Sequence, residues 1–391
     1  MFDLGIAVSE PPLYPEMPDY ADSLTLSHAH LDHSGMAPAL YKRQSLPMYA
    51  TPLTFQLSRI LQEDNIKVTK ERGYPLPYKN EDIENSLKGQ IGVEYNSPRN
   101  VHSSLTMELF DAGHIPGSSS VLLSLEGKKL LYTGDINSKD TRLLNAAKIP
   151  EADILVIEST YGNRLHPDRR ETEEALIASI EATVDSGGVA LVPVFSVGRS
   201  QEILMVLKDV SAPIYLDGMA KLASKVILSN GQYVRDLREL QKATNHSLWV
   251  EHDSQRKDIC ENPCVVLTTA GMLNGGPVIQ YLRLLAGGRR NSILLTGYQV
   301  EGTNGRTLVE KGYVLDPDTK KKLDVECEVK QFDFSAHADQ SGLLDVVDKA
   351  KPQEIVLVHG SPESTGVMRQ KLEEKGAYRV HAPSLGQSLE L

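Results

Sequence analysis

Cysteine is scarce in this chain, with only Cys260, Cys264 and Cys327 among 391 residues. Three thiols so unevenly spaced cannot build a disulfide framework, so a reducing compartment fits best. Cys260 and Cys264 make one close pair without a second, which argues against a zinc knuckle. No stretch approaches the ~20 uninterrupted apolar residues of a membrane helix, and no basic-then-apolar leader opens the chain. The expectation is therefore a cytoplasmic protein without a membrane partner. Positive charge is also short, with 41 Lys and Arg against 52 Asp and Glu, a net charge of −11. That balance argues against a surface coated for nucleic acid, yet it allows a local cationic groove in an acidic whole. Arg199, Arg289-Arg290 and Arg306, each near glycines, are the candidates for such a groove. Lys320-Lys321-Lys322 reads instead as a solvated hairpin tip after Asp316-Pro317-Asp318.

What is present is ordinary for a soluble globular protein: 40% apolar and 24% charged residues. The length allows two to three domains, or one large fold carrying an inserted one. Short apolar runs alternate with helical segments, which predicts an α/β class. Leu130-Leu131-Tyr132, Ile154–Ile157, Val189–Val192, Val265–Leu267, Ile293–Leu295 and Ile355–Val358 read as buried strands. Glu171–Ser186 has helical spacing and stops at Gly187-Gly188, and Ser200–Asp209 reads as a helix capped by Ser200. The polar alternation of Ile83–Leu109 suggests antiparallel hairpins. Gly162–Pro167 is polar and turn-rich, a natural junction.

One cluster outweighs the rest. His28-Ala-His30-Leu-Asp32-His33 sets three histidines and an aspartate within six residues, in a chain with eleven histidines in all. Imidazole and carboxylate are ligands for a hard-to-borderline divalent metal, and no thiolate accompanies them. Four such groups on one tight turn cannot all reach one ion without strain, so two adjacent ions are the easier reading. Partners from elsewhere stand at strand ends. His114 lies in the sharp turn Asp111–Gly117 after a strand over Thr106–Phe110. Asp135 follows Leu130–Gly134, and His359 follows Ile355–Val358. Any one alone is more readily a turn residue; together with the first motif they form a set.

These residues resemble the metallo-β-lactamase fold: His-x-His-x-Asp-His, then a Gly-His turn, then Thr133-Gly134-Asp135. The likeness extends to the β-CASP branch, which processes nucleic acids. Ile157–Gly162 is similar to its motif A, Phe334–Asp339 to its motif B, and Val358-His359-Gly360 to its motif C. The resemblance implies an αββα sandwich with an inserted α/β β-CASP domain. It divides the chain into residues 1–163, an inserted domain over 164–333, and a returning segment over 334–391. Phe195–Glu202, Thr268–Leu273 and Thr296–Gln299 look like markers of the insert. Glycine-rich strand ends there would face RNA phosphates, or else serve tight turns and close packing, and both readings stand open for Gly271 and Gly297. Arg199, at a helix start, and Ser335 join them as RNA-binding candidates.

By the same resemblance His28, His30 and His114 would bind one ion, Asp32, His33 and His359 the other, and Asp135 would bridge them. His337 would be the general acid, oriented by Glu158, with Asp32 counted among the catalytic group. Asp3 would orient a ligand histidine from behind. The chemistry agrees independently: two ions ~3.5–4 Å apart activate a hydroxide and neutralise charge on a phosphoryl group. An imidazole with an ordinary pKa near ~6.5 can protonate the departing oxygen. No serine or cysteine nucleophile with a paired base is apparent. A histidine at motif C resembles the RNA-processing members. The expected activity is therefore a zinc-dependent ribonuclease, endonucleolytic, 5′→3′ exonucleolytic or both, with two Zn2+ per chain and Mn2+ as the other candidate. RNA is the expected partner, and relatives often pair, so a homodimer or an RNA-processing complex is compatible with the family. The alternatives are a generic metallo-β-lactamase-fold hydrolase or a catalytically inactive scaffold.

Two departures stand against that pattern. The chain begins almost at the first motif, so the strands that normally precede it are expected to be missing, which leaves Asp3 with few neighbours to hold it. Motif C continues His359-Gly360-Ser361-Pro362 where the family usually has His-Gly-Glu. His102, His166, His246, His252 and His381 match no motif and read as surface or structural residues. No KH domain or appended extension is expected.

Overall fold

The computed structural model describes residues 1–7, 11–376 and 378–390. The chain divides into two compact units, Met1–Leu165 with Ala336–Leu391, and His166–Ser335. In the first unit a seven-stranded sheet runs Arg379–His381, Glu354–Val358, Ile154–Glu158, Lys128–Tyr132, Ser119–Leu125, Leu105–Asp111, Arg99–His102. The first four strands pair in parallel and the rest are antiparallel. A second, parallel sheet joins Leu24–Thr25, Met48–Ala50 and Gln90–Gly92.

Alternation along the strands explains the layers. Leu131, Leu155, Ile157, Ile355 and Leu357 of the large sheet pack on Leu343, Val346, Val347, Met368 and Leu372 from helices Gln340–Ala350 and Pro362–Lys375. The other face presents Met107, Leu109 and Val121 to Tyr49 of the small sheet. Leu24, Met48 and Ala50 then pack on Ala37, Leu40, Phe55 and Ile83 from helices. The first unit is thus an αββα sandwich, each sheet burying one face on helices and one on its partner.

Register decides what stands at the sheet's carboxyl end. Tyr132 lies opposite Val156, and Glu158 opposite Val358. Strands Ile154–Glu158 and Glu354–Val358 therefore end level, with Lys128–Tyr132 stopping two residues short, and Asp135, Glu158 and His359 stand at the same edge. Parallel α/β sheets place their ligand-binding loops at this edge.

The second unit is a six-stranded parallel sheet in the order Leu248–Trp249, Ile214–Asp217, Cys264–Thr268, Val189–Pro193, Ser292–Leu295, Glu328–Gln331. Its three inner apolar strands, Cys264–Thr268, Val189–Pro193 and Ser292–Leu295, are buried at every residue. That is the mark of parallel strands covered on both faces. Helix Arg169–Asp185 starts where Asp168 accepts hydrogen bonds from the N–H groups of Arg170 and Glu171, a cap of the ordinary acidic kind. Tyr313–Leu315 and Lys322–Asp324 pair antiparallel, so exposed Lys320 and Lys321 do sit in a hairpin turn.

Two local expectations need correction. Ile83–Leu109 is not a run of hairpins: Asn80–Leu87 is a helix, Gln90–Gly92 joins a parallel sheet, and only Arg99–His102 with Leu105–Asp111 is antiparallel. Asp82 accepts the N–H of Lys79 and so caps the start of that helix, a contact that polar alternation conceals. The second helix starts earlier than Ser200, over Arg199–Val206, with Gly198 at the cap in a left-handed backbone (φ 80°) and Gln201 accepting its N–H. The hydroxyl of Ser200 instead donates to the carbonyl of Ser196.

Candidate metal centre

The histidine-rich motif begins as the chain leaves strand Leu24–Thr25 and turns into the short helix Leu31–Ser34. That turn buries His28 and His33, leaves His30 half-buried and exposes Asp32. His114 comes from the loop after Leu105–Asp111, where its Nδ1 donates to the carbonyl of Ala336 at 2.9 Å. Its Nε2 then lies 3.2 Å from Nδ1 of His30 and 3.6 Å from Asp135. Asp135 is the hub. One oxygen is 3.5 Å from Nε2 of His28, and the other is 3.2 Å from Nε2 of His33 and 3.4 Å from Nδ1 of His359. His33 and His359 face each other across 3.2 Å, and His359 is 3.7 Å from Asp32.

The ligand atoms fall into overlapping groups. His28, His30, His114 and Asp135 form one, His33, Asp135 and His359 a second, and His28, Asp32 and His33 a third. Nε2 of His28, Nε2 of His30 and Oδ1 of Asp135 are buried without a hydrogen bond. Each such orphan costs ~1–3 kcal/mol in an apolar interior, a cost that a cation bound among them offsets. Burial, reinforced by neighbouring histidines, holds His28 and His114 well below the ordinary imidazole pKa, and burial also lowers His30. All three are therefore neutral near pH 7, the form that ligates a metal. At His33 burial is outweighed by Asp135 and Asp3, which raise its pKa well above the usual value. Asp135 likewise raises His359, to about 9. A divalent ion competes with protons at those two rings. The donor set of imidazoles around one shared carboxylate fits bound metal ions.

Beside this set stands a second arrangement. Nδ1 of His337 lies 3.0 and 2.9 Å from the two oxygens of Glu158, which also accepts the N–H of Ile136 at 2.7 Å. Glu158 is fully buried. Nε2 of His337 faces Asp135 at 3.8 Å. Burial lowers the pKa of His337, but Glu158 and Asp135 outweigh it and the net direction is upward. Tyr161 meets the His337 ring edge-on at 5.8 Å, with the Arg164 guanidinium 4.2 Å over Tyr161.

Asp3 is firmly held. Its carboxylate accepts from His33, Tyr132 and Ser27, and its N–H donates to the carbonyl of Thr25. Sequence reasoning missed Ser27, Tyr132 and Thr160, whose hydroxyl reaches His359. Ser27 immediately precedes the motif and offered a signal; Tyr132 reads only as a strand residue.

The remaining candidates, Arg199, Gly271, Gly297 and Ser335, belong to the second unit. A Cβ on Gly271 would lie 3.1 Å from the backbone of Val194, so close packing accounts for that glycine, whereas Gly297 has open space there. The N–H of Ser335 donates to Asp333, and Arg199 is half-buried at its helix start. Arg289 pairs with Glu326 and Arg306 with Glu310. His102 and His252 are exposed, while His166, His246 and His381 bond to Asp333, the Val210 carbonyl and Glu354.

Comparison with known proteins agrees with the fold. Residues 13–161 match the metallo-beta-lactamase superfamily domain, 200–308 the Beta-Casp domain, and 322–383 the Zn-dependent metallo-hydrolase RNA specificity domain. A probable RNase, MJ4, of Methanocaldococcus jannaschii is 37% identical over 100% of this chain and 94% of its own length. RNase aCSPSF2 of Saccharolobus solfataricus is 34% identical over 100% of this chain and 80% of its own. A crystal structure of a protein of unknown function from Enterococcus faecalis V583 superposes with a TM-score of 0.58 at 17% identity, covering 95% of this chain and 82% of that one, a likeness of fold. The chain belongs to the β-CASP branch of the metallo-β-lactamase superfamily of metal-dependent hydrolases.

Proposed function

We propose that this protein is a metal-dependent ribonuclease that hydrolyses RNA phosphodiester bonds, as a 5′→3′ exonuclease, an endonuclease or both. The observation that carries the reading is the His337–Glu158 pair beside a cluster of buried ligand atoms, several of them without a hydrogen-bond partner. Relatives that span nearly the whole chain and bear ribonuclease names support RNA as the substrate. His28, His30 and His114 are assigned to one ion, Asp32, His33 and His359 to a second, with Asp135 shared. Two zinc ions, or manganese in their place, would supply when bound electrophilic stabilisation of a phosphoryl group and of an attacking water.

The rest falls to the chain's own side chains. Glu158 takes the Nδ1 proton of His337 in a hydrogen bond, which orients the ring and steadies its cationic form. His337 then delivers the Nε2 proton to the departing sugar oxygen. Arg199, Ser335, Gly271 and Gly297 are the proposed RNA contacts in the second unit. A homodimer or a larger RNA-processing assembly would form in the cytoplasm.

Three RNAs test the proposal: a circle, a 5′-monophosphorylated strand and a 5′-triphosphorylated strand, each with zinc or manganese. Opened circles identify endonuclease action, and stepwise shortening from a monophosphate identifies exonuclease action. His337→Ala should lower kcat by ~10²–10⁴-fold while metal content stays unchanged. Intact RNA in every arm, identical for the wild type and the variant, would falsify the enzyme reading.

A further inference from the structure

Asp3 accepts four hydrogen bonds. Oδ1 takes the backbone N–H of Ser27 at 2.6 Å; Oδ2 takes the Ser27 hydroxyl at 2.6 Å, Nδ1 of His33 at 2.7 Å and the Tyr132 hydroxyl at 2.7 Å. A serine hydroxyl has a single hydrogen, and a carboxylate can only accept. The Ser27 hydrogen is therefore committed to Asp3. Oγ of Ser27 also lies 3.0 Å from Nδ1 of His28. With the hydroxyl hydrogen committed, the hydrogen in that contact must be on the imidazole.

We propose that Asp3 sets the ring tautomers of His28 and His33 together, directly at His33 and through Ser27 at His28, with Ser27 and Tyr132 as positioning residues. The inference rests on the metal-site reading above, in which those two histidines serve different ions. A proton on Nδ1 of each ring leaves the lone pair on Nε2. Both Nε2 atoms point to Asp135, at 3.5 Å from His28 and 3.2 Å from His33. One carboxylate thus prepares a ligand on each side of the shared aspartate. A hydrogen-bonded partner behind a ligand histidine fixes its tautomer and orientation; here a single partner does so for two.

The surroundings are built to keep this chain of bonds intact. Tyr132 is a donor to Asp3, because burial and then the Asp3 charge raise its phenol well above the usual range. Its ring stacks on Phe2 at 4.7 Å. Gly134 has a left-handed backbone (φ 55°), and a Cβ there would lie 2.6 Å from Cβ of Ser27 and 2.7 Å from its hydroxyl. Only glycine leaves the serine this position. Asp3 itself sits at φ 50°, an uncommon conformation for a non-glycine residue, and its bonds are what hold it.

The test uses the full chain with ¹⁵N-labelled histidine, loaded with zinc, and a parallel Co2+ titration against a competing chelator. In the wild type, ring ¹⁵N shifts should show Nδ1–H on both His28 and His33. Ser27→Ala should weaken one ion by ~10–100-fold and remove the His28 Nδ1 hydrogen bond, and Ser27→Thr should restore most of the affinity. Tyr132→Phe should weaken the other ion, and Asp3→Asn both. The shared-tautomer proposal is overturned if Ser27→Ala and Tyr132→Phe bind both ions within about twofold of wild type with unchanged ring shifts. Should Ser27→Ala not fold, Tyr132→Phe measures the same carboxylate from the His33 side. Failure of the wild type to bind any metal would instead overturn the metal-site reading.

Discussion

Two buried polar clusters, one in each unit, look alike in composition and differ in one respect. In the second unit Asp217, 1% exposed, accepts from Arg256 at 2.7 Å, from Tyr281 at 3.0 Å and from the N–H of Gly218 at 2.6 Å. Arg256 spends its other donors on Gln280 and Asp253. In the first unit, Asp135 and the Nε2 atoms of His28 and His30 converge with hydrogen-bonding capacity left over. A satisfied cluster is a structural element that joins helices and strand. An unsatisfied one keeps a standing cost unless something binds. Burial of charge is common to both, so the surplus of acceptors is what separates a site from a strut.

Three substitutions can break or sharpen that contrast. Asp135→Asn should have the largest effect, because it removes the group shared by both ligand sets. Metal affinity should fall by more than the ~10–100-fold that a lost outer partner costs, and RNA cleavage with it. Elemental analysis after dialysis, paired with an RNA cleavage assay, should show metal and activity lost together. Arg256→Ala should do the reverse. It leaves buried Asp217 with only the more distant Lys221 ammonium, at 3.8 Å, a loss of up to about 3–5 kcal/mol, visible as a fall in melting temperature while bound metal stays at the wild-type level. If instead Arg256→Ala releases metal, the separation between strut and site fails.

The smallest effect concerns a third carboxylate. Burial raises Asp111 to about 6, against the opposing N–H of Gly113 and the charge of Lys148. Its folded value thus lies above the unfolded 3.8. The folded state keeps its proton longer than the unfolded state, so stability is lost as pH rises between those two values. Asp111→Asn should keep the Gly113 hydrogen bond and remove that loss. Denaturation midpoints for wild type and variant should agree near pH 4 and diverge above pH 6, with the variant the more stable. Equal midpoints at both pH values would show that Asp111 carries no such penalty.

Much of the site could be read in the chain because its ligands occupy recognisable places. His28, His30, Asp32 and His33 share one turn, and Asp135 and His359 each follow an apolar run ending in small residues. His337 and Glu158 came from motif resemblance rather than from spacing, since nothing local marks either as a proton donor or its support. Within Ile83–Leu109 the end of helix Asn80–Leu87 is not legible, because its start is capped by Asp82 accepting the N–H of Lys79, a contact that polar alternation does not reveal. Tyr132 was invisible for a different reason. In a strand of apolar residues an aromatic ring is ordinary, and only its hydroxyl's aim at Asp3 gives it meaning.

The amino-acid order by itself determined the most apolar strands and marked the histidine-rich turn as a candidate metal site, because periodicity and ligand chemistry are local properties. The tertiary structure decided which of these groups meet. Parallel register brings Glu158 level with Val358, and so sets His359 beside Asp135. Sandwich packing brings Tyr132 and Ser27 to Asp3 across 129 and 24 residues of chain. Hydrogen-bond direction then follows from who faces whom. A serine that could point its hydrogen anywhere has one choice once a carboxylate lies 2.6 Å away, and the tautomer of His28 is settled by that contact.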